Sequence, residues 1–276
     1  MPDQQIEPLL RALMPIRDYL AEGNIVISGG WVPIIYQRYV LPGKGQPSLL
    51  TTDVDVVIPN KLDSGERPSL RHLLLEDGFR EDFVGDANPP ASCFRKEVGE
   101  LNIELEFLTP LRGAGNDETL WVQSDLAAQA LRFSDILLEE PMRVKISEEL
   151  DGEIVDLELN VPRPAAFIFQ KGLAFTKRID RLKKAKDLYY IFDIIAGYPE
   201  FAGHIDEGMA QFKAANPAWF RRFIRNMTDY FFVAWAPAPR MIVEQRSWRA
   251  YDSLDDAQLE KFCRTIMGAF IGRSDS

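Results

Sequence analysis

The pattern of the chain changes once, at Val161-Pro162-Arg163-Pro164, and this change limits the fold more than any other feature. Before it, short β-branched runs alternate with turn signals and a few helical stretches. After it, every apolar pattern has helical spacing. Two prolines so close together interrupt both ladders and helices. A boundary is therefore expected there, with residues 1–162 forming one domain and residues 163–276 a helical second one. In the first part, Pro8 to Leu20 has helical spacing and stops near Gly23. Ile25-Val26-Ile27 reads as a buried strand ending at Ser28-Gly29-Gly30. Trp31 to Val40 reads as a helix that tolerates Pro33 in its first turn and breaks at Pro42-Gly43. Val54 to Ile58 is a β-branched strand ended by Pro59.

Leu70 to Glu76 has helical spacing. Ser92 to Val98 and Leu101 to Leu108 read as strands joined at Gly99-Glu100, and Thr119 to Gln123 as another strand. Met142 to Ile146 and Ile154 to Leu159 flank Asp151-Gly152, a strong hairpin signal. The helices expected downstream cover about 165–178, 185–196, 206–214, 217–235 and 254–270. The fold class expected is α+β, a mixed sheet with flanking helices followed by a helical C-terminal domain.

Composition narrows the function. With 46% hydrophobic and 27% charged residues the chain can bury a sizeable core, and no apolar run approaches the roughly 18–20 residues of a membrane span. The start, Met1-Pro2-Asp3-Gln4-Gln5, lacks a basic segment leading into an apolar one, so a cytoplasmic protein with no membrane partner is expected. Cys93 and Cys263 form no CxxC pair and read as buried filler in a reducing compartment. A net charge of -10 argues against a general nucleic-acid coat protein. Even so, seven basic residues fall between Lys171 and Lys186 against one acid, Asp180. Two histidines, His72 and His204, exclude a His-rich zinc site and leave few ways to build a Ser-His-Asp triad. Carboxylates and lysines must carry any catalysis.

The order of elements supplies such carboxylates. A strand leads into Ser28-Gly29-Gly30, a helix and a loop follow, and a second strand bears Asp53 and Asp55. A glycine pair lets backbone approach a polyphosphate, and the following helix start offers N–H groups to anionic oxygens. Asp53 and Asp55, two apart on a strand, project from one face. Paired carboxylates repel each other but suit Mg²⁺, which takes oxygen ligands. Glu104 and Glu106 alternate with Ile103, Leu105 and Phe107, so both leave the apolar face together, and either completes a three-carboxylate, two-metal site.

These residues resemble the pattern of the polymerase-β-like nucleotidyltransferase superfamily: a Gly-Gly or Gly-Ser turn, Asp-x-Asp, then a later strand acid. Residues 164–193 are further similar to the AbiEii-type, toxin-like branch, with Lys171-Gly172-Leu173-Ala174 and a following Arg178, then Lys186-Asp187-Leu188-Tyr189-Tyr190-Ile191-Phe192-Asp193. The resemblance covers about residues 25–193. It implies a nucleotidyltransferase-like fold. It also implies Mg²⁺-dependent transfer of a nucleoside monophosphate from an NTP such as ATP to a hydroxyl or an RNA 3′ end. Ser28, Gly29 and Gly30 would contact the triphosphate with Lys171 and Arg178, Asp53 and Asp55 would bind metal, and Asp187 would be the acid of the second helical motif. Glu106 matches the family's strand acid, because Glu106-Phe107-Leu108-Thr109 falls where the family has Asp-Phe-Leu-Thr. The change to Glu leaves the third ligand open between Glu104 and Glu106, and the Pro42–Thr51 insertion is long. The acceptor could be tRNA or other RNA, a small molecule or a protein, and the branch implies a possible antitoxin partner and a toxin or antiviral role.

Other readings compete. Glu104 and Glu106 could line the wet face of a strand. Lys171 could snorkel, Lys177 to Lys186 could be a solvated helix face, and Asp187 could pair with Lys183 one turn away. The aromatic segment Trp219 to Trp235 could be core or an Arg-aromatic surface that stacks bases. At the level of function, the rivals are a catalytically idle nucleotide- or partner-binding module and a glycosyltransferase holding a metal-bound sugar nucleotide through Asp-x-Asp.

Overall fold

The computed structural model describes residues 6–22, 25–45, 49, 51–111, 113, 118–246 and 250–275. The chain divides into two units, Met1–Val40 with Leu50–Pro162, and Leu41–Leu49 with Arg163–Ser276.

The first unit is built on strands β1 (Val26–Ile27), β2 (Asp53–Val57), β3 (Arg80–Val84), β4 (Ala91–Val98), β5 (Leu101–Pro110), β6 (Thr119–Gln123) and β7 (Leu126–Leu131). They form one mixed sheet in the order β1-β2-β5-β4-β3, with β7 joining β5 and carrying β6. The pairings β2–β5 and β5–β7 are parallel; the others are antiparallel. Alternation along β2 and β5 sends Val54, Val56, Ile103, Leu105 and Phe107 into the core, where Phe94 meets Phe107 edge to face at 5.9 Å. Each such side chain contributes roughly 1.5–3 kcal/mol by leaving water. The opposite face of these strands carries the charged residues.

A second, two-stranded sheet pairs β8 (Met142–Leu150) with β9 (Glu153–Val161) without a break in register. Asp151 and Gly152 turn it with φ of 54° and 85°, as a tight hairpin of this hand demands. The helix Leu70–Glu76 opens with Ser69, whose Oγ accepts from His72 N at 3.1 Å. The helix expected over Trp31 to Val40 is α-helical only to Ile35 and continues as a π-helical turn, Tyr36–Val40. In that wider turn the neighbours Arg38 and Tyr39 both donate to Glu148 Oε1, at 2.9 and 2.6 Å.

The second unit contains the helices Pro164–Ala174, Arg181–Gly197, Ala202–Ala215, Pro217–Phe231, Ala238–Gln245 and Asp256–Asp275. Pro164 and Pro217 occupy first turns, where no intrahelical N–H bond is lost. Asp180 caps the Arg181–Gly197 helix through Oδ1, which accepts from Leu182 N at 2.7 Å. The aromatic segment is mainly core: Phe220, Phe223 and Phe231 are buried, and Phe169 lies between Phe212 at 4.6 Å and Phe223 at 5.3 Å. Its last residues leave the helix, and Trp235 is 97% exposed with φ of 65°. A β-carbon at Gly172 would collide with the Phe223 ring, so glycine sets how closely these two helices approach. No helix among the described residues is long and apolar enough to cross a membrane.

Asp193 is fully buried in this unit. Its Oδ1 accepts from the Tyr251 hydroxyl at 3.0 Å, and its Oδ2 has no hydrogen-bond partner among the described residues. Burial pushes the carboxyl up to about 7, against the opposing hydrogen bond. A raised folded-state value means that the unfolded chain ionises first. Stability from this group is full below the ordinary carboxylate range near 3.8 and is lost as pH rises through about 7. Asp193→Asn is therefore expected to flatten the pH dependence of the urea midpoint between pH 4 and 7. It should also raise stability at pH 8 by a few kcal/mol, since each pH unit separating the folded and unfolded ionisations is worth about 1.4 kcal/mol. An unchanged slope in the variant would contradict this assignment.

Candidate active site

The candidate residues of the first unit meet on the polar face of the large sheet. Ser28 is buried and its N–H donates to Asp55 O at 2.8 Å, which ties the turn after β1 to β2. Gly29 has φ of 65°, a left-handed conformation that favours glycine. A β-carbon there would collide with Asp55 Oδ2, so the turn and the carboxylate share one close approach. Gly30 precedes the short helix Trp31–Ile35.

Register then organises the acids. In the parallel pair, Asp53 lies opposite Glu104 and Asp55 opposite Glu106. In the neighbouring antiparallel pairs, Glu104 faces Arg95 and Glu106 faces Cys93, while Arg95 faces Arg80 and Cys93 faces Asp82. Two rows thus cross four strands on one face. One runs Asp53, Glu104, Arg95, Arg80; the other runs Asp55, Glu106, Cys93, Asp82 and contains no basic residue. Asp53 is exposed, and Asp55, Glu104 and Glu106 are half-buried.

The rows differ electrostatically. Arg95 Nε donates to Glu104 Oε2 at 2.7 Å and its Nη1 to Asp82 Oδ2 at 2.6 Å. These bonds hold the guanidinium above its ordinary range and the Asp82 carboxyl below its own. Glu104 is bonded to Arg95, and Glu106 is the acid that register sets directly opposite Asp55, which makes Glu106 the candidate third carboxylate. Cys93 is buried, and burial, followed by the charges of Glu104 and Glu106, pushes its thiol up to about 12. Among the described residues, one trio of potential metal donors has its ligand atoms within 4.8 Å of one another: Cys93, Glu104 and Glu106. Asp53 and Asp55 lie in the same two rows but outside that trio. The oxygen donors Asp53, Asp55 and Glu106 fit a hard divalent cation such as Mg²⁺. Asp55 Oδ2 occupies the space above Gly29, so this carboxylate lies against the backbone of the turn.

Lys171, Arg178 and Asp187 form a separate cluster within the second unit. Lys171 Nζ donates to Asp187 Oδ1 at 2.6 Å and Arg178 Nε to Asp187 Oδ2 at 3.1 Å. Lys171 does not snorkel: both it and Asp187 are buried, with Phe167 and Tyr190 flanking the ammonium at 5.5 and 6.0 Å. Asp187 pairs across helices rather than with Lys183. Lys177, Arg181, Lys183 and Lys186 are exposed, a solvated face. Sequence pattern alone does not single out Arg95 and Cys93. The period-2 pattern of Ser92 to Val98 places both on one face, but only cross-strand register sets them opposite Glu104 and Glu106.

A protein-family model described as "Nucleotidyltransferase" matches residues 17–202, about two thirds of the chain, and every candidate residue lies inside that span. Comparison with curated proteins finds no match. Among solved structures, the chain is similar at 17% identity to an antigenic nucleotidyltransferase-like protein from Paracoccidioides brasiliensis, over 81% of this chain and 94% of that one, with a TM-score of 0.36. The family match covers the strand, turn and carboxylate elements and the first helices that follow them, and by it this chain belongs to the nucleotidyltransferase family.

Proposed function

We propose that the polar face of the first unit carries out nucleotidyl transfer, moving a nucleoside monophosphate from an NTP to an acceptor hydroxyl with release of pyrophosphate. The observation that carries this reading is the register that sets Asp55 beside Glu106 and Asp53 beside Glu104, next to a turn whose backbone only glycine allows to come so close. Ser28, Gly29 and Gly30 hold the triphosphate. Asp53 and Asp55 hold Mg²⁺, with Glu106 as third ligand or as the base facing the acceptor hydroxyl. The bound cation supplies Lewis-acid polarisation of the phosphoryl oxygens. Arg95 keeps Glu104 in place and out of that ligand set. Family membership supports this chemistry over the glycosyltransferase alternative.

Lys171, Arg178 and Asp187 enter through the resemblance to the AbiEii-type branch, which gives them phosphate-contact and catalytic roles. In the second unit they are also a buried ion pair with a third member, a structural role sufficient in itself. A tRNA or other RNA acceptor, an antitoxin partner and a toxin role belong to the same resemblance.

The test uses the full chain with each of four α-labelled NTPs, Mg²⁺ and, in turn, total tRNA, a protein extract and the enzyme alone. Label is expected on one acceptor class, with stoichiometric pyrophosphate, and chelation is expected to abolish both. Magnesium-independent NTP binding in calorimetry, with no label on any acceptor, would favour an idle binding module instead.

A further inference from the structure

We propose that Cys93, Glu106 and Glu104 form a binding position for a thiophilic divalent cation such as Zn²⁺ or Co²⁺, beside the hard-ion position assigned to Asp53 and Asp55. Because Glu106 is shared, the proposal deepens the reading above, and occupation by Zn²⁺ would draw Glu106 away from the Asp pair and inhibit transfer.

Four observations converge. Cys93 Sγ and one oxygen each of Glu104 and Glu106 lie within 4.8 Å of one another. A tetrahedral zinc site with bonds of about 2.0–2.3 Å places ligand atoms about 3.3–3.8 Å apart, so the three donors would close by roughly 1 Å or more on binding. Second, the buried thiol stands among acids. Cys93 is 1% exposed, yet it stands in a row with Asp55, Glu106 and Asp82, and its Sγ has no hydrogen-bond partner among the described residues. Third, Cys93 and Glu106 both line a cleft of about 80 Å³, together with Ser92, Thr119 and Gln129. That volume holds several water molecules, enough to complete a coordination sphere around three protein ligands. Fourth, Arg95 Nε takes Glu104 Oε2 and its Nη1 takes Asp82 Oδ2, so the ion pair engages one of the two Glu104 oxygens.

Ligand softness then decides the ion. A thiolate favours Zn²⁺ and Co²⁺, whereas carboxylate alone suits Mg²⁺. Binding replaces the S–H bond by a sulfur–metal bond and releases the proton to solvent.

The experiment is a Co²⁺ titration of the full chain without nucleotide, followed by near-ultraviolet thiolate-to-cobalt absorption, with Zn²⁺ competition giving the zinc affinity. One saturable equivalent is expected. Cys93→Ser should abolish the band and weaken Zn²⁺ binding at least about tenfold, an effect comparable to losing even an outer partner of a metal site. Glu106→Gln should weaken both ions, whereas Cys263→Ser and Asp53→Asn should keep the band. No saturable band in the unaltered protein, or a band that survives Cys93→Ser, overturns the proposal. Should Cys93→Ser fail to fold, as judged by loss of a cooperative melt, an unaltered band in Glu106→Gln overturns it equally. A protein that shows the band without transfer refutes only the transfer reading. One that transfers with Mg²⁺ but shows no band refutes only this one.

Discussion

Asp55→Asn is expected to lower nucleotidyl transfer by about 10³-fold, close to 4 kcal/mol of barrier, while leaving the melting temperature near that of the unaltered protein. The substitution keeps the side-chain volume against Gly29 and the main-chain bond from Ser28 N to Asp55 O, so the local fold survives. It removes the negative charge that would hold a cation beside the turn. The loss should be in kcat and in the Mg²⁺ concentration for half-activity, with NTP binding in the absence of metal little changed. Glu106→Gln should behave similarly. Glu104→Gln should cost far less, because Glu104 already balances Arg95. Equal losses in the two glutamate variants would overturn the choice of Glu106, and undiminished transfer by Asp55→Asn would sink the mechanism.

Lys171→Met is expected to destabilise the protein by about 3–5 kcal/mol, because it strands a buried carboxylate whose remaining ion-pair partner is partly solvated. The side chains of Lys171 and Asp187 are 8% and 4% exposed, against 38% for Arg178. Methionine follows the path of the lysine stem between Phe167 and Tyr190, so packing changes little and the effect isolates the charge. Lys171→Met combined with Asp187→Leu should recover most of the loss, since well-packed apolar replacements of a buried pair are often neutral or better. Urea midpoints for the two single variants and the double variant give the coupling directly. Additive effects would show that the pair is not a unit. A phosphate-contact role predicts something further, a loss of NTP affinity in the double variant after stability has recovered.

Local patterns make part of this molecule legible. The β4–β5 hairpin is readable because alternation and Gly99-Glu100 agree, and the β8–β9 hairpin because Asp151-Gly152 supplies both positive φ angles. Strand β7 escapes a reading by pattern because Leu126-Ala127-Ala128-Gln129-Ala130-Leu131 has helical composition. Its small side chains are instead buried where β7 lies between β5 and β6. Tertiary pairing overrides propensity there. Strand β3 is a sheet edge with Phe83 exposed, so it shows no apolar alternation. The Ala238–Gln245 helix hides behind Pro237 and Pro239, and the helix before it stops at Phe231, short of the expected Trp235. The Gly turn and Asp53-Val54-Asp55 are visible because each is local. The setting of Glu104 and Glu106 is not, because Arg95 and Cys93 reach them only through pairing between strands.

Segment Leu41–Leu49 belongs to the second unit although it joins two parts of the first. Lys44 Nζ lies 3.2 Å from Glu200 Oε1, and Gly45 rests on the ring of Tyr198. During synthesis this segment leaves the ribosome about 150 residues before those partners. At roughly 5–20 residues per second it would wait on the order of 10 s for them. The strand bearing Asp53 and Asp55 must therefore find its place beside β5 while the loop that leads into it has nothing to dock on. Early in the life of the chain, the carboxylate row is held within its own unit, by sheet pairing and by the turn after β1.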